Sequence, residues 1–376
     1  MSMTSDRNGP QRIAKLTPLG DVLARLDALV KPVAPRRSDL SAALGRILAE
    51  DVVVPSPLPA VSVALRDGWA VRSELTADAG GYAPTPLPSA VRIDVGQPLP
   101  AGADAVAPLD AVTLRDGQAQ ALAQVGPGDG VLPAGADAAT GATLLPAGRR
   151  LGRAQLAVLA AARVTTVQAR SPRVRILRTR PGGHSFIDAA AECIADAIEA
   201  EGGTAVVHEP DADLEPGLTD TSVDAVVVIG GTGSGHNDAT VRTLASVGEV
   251  VAHGIALTPG ETTAFGMVGS RPVLALPGRL DAALAAWHVL GWVMLARLSG
   301  SHEPLPLRTG KLTSKVSSAL GFSELVPVRC EGFVVTPIAS GYVPLSALAL
   351  ANGWILVKPD SEGYPAGSEV MVRPWP

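Results

Sequence analysis

Between Pro172 and about residue 303, short continuous apolar runs alternate with helix-forming segments, and this alternation limits the possible folds more than any other feature of the chain. Apart from Arg175, the runs VRIL (174–177), AVV (205–207) and AVVVI (225–229) are continuously apolar, as expected of strands buried on both sides of a parallel sheet. Ile187 to Glu201 has apolar residues at helical spacing and closes with Gly202-Gly203. A second, weaker helical segment follows Asn237-Asp238, and a third runs from about Leu280 to Leu298, after PVLALPG. Strand–helix alternation over about 130 residues predicts a doubly wound α/β domain.

The flanks read differently. Residues 1–17 read as a polar, flexible tail. A helix is predicted after Pro18, with Val22, Leu23, Leu26, Leu29 and Val30 at helical spacing, and a second from Ser38 as N-cap, with Leu40, Leu44, Ile47 and Leu48 on one face. The prolines of VVVPSPLPAVSVALRDGWAV then forbid helix. From residue 75 to about 146, Gly, Pro and short Val/Ala/Leu runs predict an all-β region. LGRAQLAVLAAAR (151–163) returns to helix and VTTVQA to strand. The expected fold class is therefore multidomain α/β plus β. Residues 1–54 with 146–170 form a helical and extended linker subdomain, interrupted by a β-rich subdomain over 55–145. An α/β domain over 171–303 follows, and a small β-barrel-like domain over 304–376.

Composition narrows the function classes. Lys+Arg 31 against Asp+Glu 36 leaves a net charge of −5, which argues against a general nucleic-acid binder. All but five of the basic residues are arginines, and no lysine occurs between positions 32 and 310, which favours fork-shaped anion contacts. Cys193 and Cys330 are too few for a disulfide framework or a zinc site. The first 30 residues lack an apolar signal core, and the longest apolar stretch, Ala282–Ala296, is too short to span a bilayer and is interrupted by His288. A cytoplasmic protein with neither nucleic-acid nor membrane partners is expected.

The strongest local signal is DAVVVIGGTGSGHND (224–238), a buried strand entering a glycine-rich turn before a helix. Gly230, Gly231, Thr232, Gly233, Ser234 and Gly235 would let backbone N–H groups converge on a phosphate or another oxyanion. Neither P-loop nor dinucleotide spacing is present. Asp224 and Asp238 bracket this unit and read as oxygen ligands for Mg2+, or Asp238 as a helix N-cap. Asp67 in LRDGWAV and Asp137 in PAGADAATG sit in Asp-Gly or glycine-flanked turns, where a plain turn is the simpler account. The turns holding Pro259-Gly260 and Pro277-Gly278 are strand-adjacent and would line an α/β crevice. His184, His236 and His253 read as loop residues rather than bases, and the run Arg163, Arg170, Arg173, Arg175, Arg178, Arg180 reads as a solvated face or an anion contact.

From about residue 16 onward these motifs resemble the molybdopterin molybdenumtransferase family, of the MoeA and gephyrin E-domain type. The resemblance rests on SAALGRILAEDV, LRDGWAV, VRIDVGQPLPAGADAV, DAVVVIGGTGSGHND, ALTPGETTAFG, LPGRLDAAL and ANGWILVKPDSEGYPAGSEV, in that order. It implies an elongated homodimer with a central molybdopterin-binding domain. The implied reaction is Mg2+-dependent insertion of molybdate into adenylylated molybdopterin with release of AMP, and a molybdoenzyme apoprotein would receive the product. The positions matching functional aspartates are Asp67, Asp137, Asp224 and Asp238, the first three read as catalytic and the last two as metal ligands.

The chain departs from the family pattern elsewhere. Gly182 replaces an acidic residue, Thr258 and Glu261 replace lysines, Val95 a threonine, Ala64 a serine, and Arg279-Leu280 an Asn-Pro pair. Arg180 and Arg279 are expected to take over as anion contacts. Two functions follow, a molybdenum-inserting transferase and a carrier that holds molybdopterin or finished cofactor without turnover.

Overall fold

The computed structural model describes residues 11–179, 185–207, 213–301, 303 and 306–375. The chain divides into two compact units, one of Met1–Glu50, Ala147–Ala157 and Thr165–Pro376, the other of Asp51–Pro146 and Val158–Val164.

The larger unit is built on β1 (Arg173–Arg178), α1 (Ser185–Ala200), β2 (Thr204–Val207), α2 (Glu215–Thr219), β3 (Ala225–Ile229), α3 (Thr240–Val247), β4 (Glu249–His253), β5 (Ala264–Val268) and β6 (Arg271–Leu276). These strands form a six-stranded sheet in the order β2-β1-β3-β6-β5-β4. The first four in that order are mutually parallel, with Val174 opposite Ala225 and Val226 opposite Val273, while β5 runs antiparallel to β6 and to β4. The apolar runs are continuous because both faces are covered. Val226 and Val228 point into one core with Leu177, Leu218 and Leu244, and Val227 and Ile229 into the other with Ile176, Ile194 and Phe265. At about 1.5–3 kcal/mol per buried aliphatic side chain, β3 is the centre of the unit.

The α1 helix ends as its glycines require. Gly202 sits at φ +79°, and Gly203 N–H reaches back to Ile198 O (2.9 Å), which caps the last turn. After β6 the helix α4 (Leu280–Ser299) is long and apolar enough to cross a membrane, yet 78% of its apolar window is buried in the core. Its middle, Trp287–Gly291, forms a π-turn. A Cβ on Gly291 would lie 2.1 Å from Trp287 Cε3, so glycine lets the indole lie across the helix there.

The C-terminal strands β7 (Arg308–Leu312), β8 (Ser323–Glu331), β9 (Val334–Pro337), β10 (Gly353–Val357) and β11 (Glu369–Pro374) close into a barrel in the order β8-β9-β7-β11-β10, with β10 pairing back on β8. Val326, Val328, Val335, Ile355 and Val372 fill it. The smaller unit is made of short antiparallel ladders. Gly68–Val71 lies between Val91–Ile93 and Ala105–Pro108, and Gln118–Ala121 lies between Thr85–Pro86 and Val112–Arg115. Its core is small-residue rich, with Val71, Leu87, Ala105, Ala107 and Ala121.

Two N-terminal expectations fail. The predicted second helix is a strand Arg36–Asp39, a single 3-10 turn Leu40–Ala42 and a strand Ile47–Leu48, both strands pairing with Thr166–Arg170. The β-prone partner lies far along the sequence, and Gly45 at φ +78° breaks the helical register. Residues 11–17 of the expected tail are docked. A Cβ on Gly254 would lie 2.3 Å from Ile13 Cγ2, and Thr17 N–H donates to Gly254 O at 2.9 Å.

His288 lies in the π-turn, its ring centroid 5.9 Å from that of Trp354 and 4.7 Å from that of Trp375. Burial pushes its imidazole down to about 4. Between pH 6.5 and 4 the unfolded chain takes up a proton that the folded chain refuses, so stability falls with falling pH by up to about 3 kcal/mol. Urea midpoints of the native chain and His288→Phe are expected to diverge from each other as pH drops through this window; a pH-independent difference would contradict the assignment.

Candidate functional site

The parallel strands end at a crevice. β3 runs out into Gly230-Gly231, which reverse direction at φ +98° and +66°. Only glycine fits this turn. A Cβ on Gly230 would lie 2.2 Å from Thr179 Oγ1, and one on Gly231 would lie 2.5 Å from Thr240 Oγ1. Both threonines are hydrogen-bonded partners of the turn, Thr240 Oγ1–H donating to Gly230 O (2.8 Å) and Thr179 Oγ1–H to Ile229 O (3.1 Å). The loop beyond is pinned from several sides. His253 Nε2–H donates to Thr232 O (3.0 Å), and Thr232 Oγ1 lies 2.9 Å from Thr262 Oγ1.

Gln11 holds the same loop from a distant part of the chain. Its Nε2 donates to Gly231 O (2.6 Å) and Gly233 O (2.8 Å), and its Oε1 accepts from Val241 N–H (3.2 Å) at the start of α3. At 7% exposure this amide is a buried clamp. Nothing local marks it, since these partners are more than 200 residues away; sequence reasoning missed it for that reason.

The resulting pocket measures about 560 Å³ and is lined by Gly230–Gly233, Asp238, Thr262, Pro277–Arg279 and Ser185–Ile187 from the first turn of α1. The backbone N–H groups of Gly231, Thr232 and Gly233 have no acceptor among the described residues. Unpaired main-chain donors beside a helix start suit an anion. Asp238 closes the far side of the loop, accepting from Gly235 N–H at Oδ2 (3.0 Å), and is not the helix N-cap, a place Ala239 takes. Phe186, half exposed, and Ile187 add an apolar wall that the sequence reading did not single out.

A second cavity of about 290 Å³ adjoins through Thr262, Pro277 and Arg279, and adds Thr258–Glu261, Asp281 and Tyr342. Arg279 forms a two-pronged contact with Asp281 (Nε to Oδ1 3.2 Å, Nη2 to Oδ2 2.8 Å), and its guanidinium lies 4.7 Å above the Tyr342 ring. The Asp281 hydrogen bonds hold Arg279 more firmly charged than usual. Asp281 is 5% exposed and also accepts Val343 N–H (3.3 Å).

The predicted residues thus divide. Gly230, Gly231, Thr232, Gly233, Asp238, Pro277, Gly278 and Arg279 line the first pocket, Pro259 and Gly260 the second, and Ser234 and Gly235 are exposed in the same loop. Asp224 does not join them. It precedes β3, at the end of the sheet opposite the crevice, and its Oδ2 accepts Arg173 N–H (2.8 Å). Five strand residues at about 3.3 Å each separate it from the glycine turn, so within this chain Asp224 and Asp238 cannot share one ion. No group of three His, Cys, Asp or Glu side chains able to hold a metal occurs among the described residues. The Mg2+ pair read from the sequence therefore does not fit.

Asp67 and Asp137 belong to the smaller unit and are exposed. Asp67 Oδ1 accepts Val95 N–H (2.8 Å), and Asp137 N–H donates to Leu58 O (2.9 Å). They leave opposite ends of the ribbon that pairs Val63–Ala64 with Val131–Leu132. Three described members of the arginine run are engaged within the protein: Arg175 is paired with Asp220, Arg178 with Asp188 (2.7 Å), and Arg170 Nε donates to Val33 O (3.1 Å). Arg180, Gly182 and His184 lie outside the described residues.

Three family descriptions match the chain in order: "MoeA N-terminal region (domain I and II)" over residues 17–162, "Probable molybdopterin binding domain" over 184–297, and "MoeA C-terminal region (domain IV)" over 309–375. The chain belongs to the MoeA family. Molybdopterin molybdenumtransferase 2 of Mycobacterium tuberculosis is 29% identical over 401 aligned residues, covering 92% of this chain and 96% of the relative. The molybdopterin molybdenumtransferase of Haemophilus influenzae is 24% identical, covering 93% and 96%. The crystal structure of a molybdopterin biosynthesis MoeA protein from Pyrococcus horikosii superposes with a TM-score of 0.78 at 29% identity, covering 96% of this chain and 99% of that one. The three-part MoeA architecture, with a central α/β domain and a closed C-terminal barrel, is the one described above.

In this MoeA-type chain the Gln11 clamp sets the shape of the glycine loop. Gln11→Ala leaves the Gly233 carbonyl without its donor and the Gly231 carbonyl with Thr240 N–H alone, and is expected to cost about 1–3 kcal/mol. Denaturant titration reads that loss. Hydrogen exchange is expected to quicken over 231–242; unchanged exchange there would show that the loop stands without the clamp.

Proposed function

We propose that this chain acts in molybdenum cofactor biosynthesis by binding adenylylated molybdopterin in the 560 Å³ crevice and inserting molybdenum, with release of AMP. The observation that carries the reading is the row of acceptor-less N–H groups at Gly231, Thr232 and Gly233, in a chain that matches the family along its length. These donors suit a phosphate, and they are fixed in place before any ligand arrives because Thr179, Thr240, His253 and Gln11 brace the loop. Preorganised donors of this kind act on charge without reorganising during reaction. The first turn of α1 adds its partial positive charge, and Phe186 and Ile187 offer a face to a flat ring.

Asp238 is the carboxylate that lines the first pocket among the described residues. The Mg2+ dependence belongs to the family reading. Catalytic roles for Asp67 and Asp137, a homodimer, a cytoplasmic setting and hand-over to a molybdoenzyme apoprotein are parts of the same proposal and rest on the family resemblance.

A second reading, a carrier without turnover, is favoured by the position of Asp224 at the opposite end of the sheet. One assay separates the two. Full-length protein is incubated with molybdopterin-AMP, molybdate and magnesium, and AMP is quantified. The transferase reading expects release that falls by roughly one to two orders of magnitude in Asp238→Asn. Pterin binding with AMP release no higher than in Asp67→Asn would decide for the carrier. A Gly231→Val chain that still binds molybdopterin with native affinity would remove the crevice from either account.

A further inference from the structure

The second lobe of the crevice is occupied by a charge of the protein's own. Glu261 follows Gly260 in the turn after Leu257–Thr258, and its carboxylate takes both donors that the turn offers. Thr258 Oγ1–H donates to Oε1 (2.7 Å), and Gly260 N–H donates to Oε2 (3.1 Å). Gly260 holds φ +132°, a conformation that aims this turn and that residues with a side chain rarely adopt.

Arg279 lines the same lobe and is 62% exposed. Its Nη1 has no hydrogen-bond partner among the described residues. Glu261 is close enough to add to the field that keeps this guanidinium charged, after Asp281 and Tyr342. A hydroxyl and a main-chain N–H on one carboxylate, with the unpartnered Nη1 of Arg279 in the same lobe, make up a donor set for an oxyanion, the two carboxylate oxygens standing where two oxyanion oxygens would.

The charges do not balance. Asp281 is matched by Arg279 and by Val343 N–H, whereas Glu261 forms no ion pair among the described residues. The lobe therefore carries one surplus negative charge, and an incoming anion meets it at short range.

We propose that Glu261 is an internal competitor for this lobe, so that a tetrahedral oxyanion of the molybdate or phosphate class enters only when the carboxylate leaves Thr258 and Gly260. The inference deepens the reading given above for the same crevice, and its test does not need a pterin. Sodium molybdate is titrated calorimetrically into the full chain, into Glu261→Gln and Glu261→Ala, and into the double variant Glu261→Gln/Thr258→Val.

Both single variants are expected to bind molybdate at least tenfold more tightly than the native chain. The double variant is expected to lose most of that gain, because the freed hydroxyl is gone while the net charge is the same as in Glu261→Gln. Single variants that bind no more tightly than the native chain would overturn the proposal. So would a gain that survives intact in the double variant, which would mark a general charge effect. A molybdate gain in a chain that binds no molybdopterin would uphold Glu261 as competitor while removing the pterin reading; intact pterin binding with no molybdate gain would do the reverse.

Discussion

The close approach of backbone to side chain at the end of β3 is the contact on which the rest of the crevice depends. Gly230 and Gly231 bring the main chain so near to Thr179 and Thr240 that a single added carbon would collide with either hydroxyl. In return, both hydroxyls satisfy carbonyls at the strand end, and the chain leaves the sheet with its next N–H groups unspent. A buried polar group normally finds a partner. Here the fully buried β3 and its neighbours hold the loop in place while leaving those donors for something from outside, so packing in the sheet and chemistry at its edge are one arrangement.

Much of this was legible in the sequence. The continuous apolar run AVVVI read as a strand covered on both faces and GGTGSG after it as a glycine turn, and the structure has the strand and the turn there. What failed shares a physical cause. Ser38–Leu48 has helical spacing, but its strand partner Thr166–Arg170 lies more than 100 residues away. Gln11 acts across a still longer separation. Asp224 shows a different error: a residue before a strand and a residue after it are held at opposite ends of the sheet by the strand itself, whatever their nearness in sequence.

The arginine-rich composition found a use that differs from the expected one. Arg175, Arg178 and Arg150 are ion-paired with Asp220, Asp188 and Glu201, and Arg170 donates to the main chain at Val33, so their charge serves to join segments of the fold. Guanidinium groups suit this because they stay charged on partial burial and bridge several oxygens at once. Arg279 is likewise paired, with Asp281, yet its side chain remains largely open to water.

The clamp made by Gln11 ties the beginning of the chain to the rim of the pocket. Docking of that arm and occupancy of the loop are then thermodynamically linked: the factor by which docking changes the loop's affinity is the factor by which a bound ligand changes docking. Replacing Gln11 would therefore be an intervention at the binding loop, although by sequence position it lies more than 200 residues away.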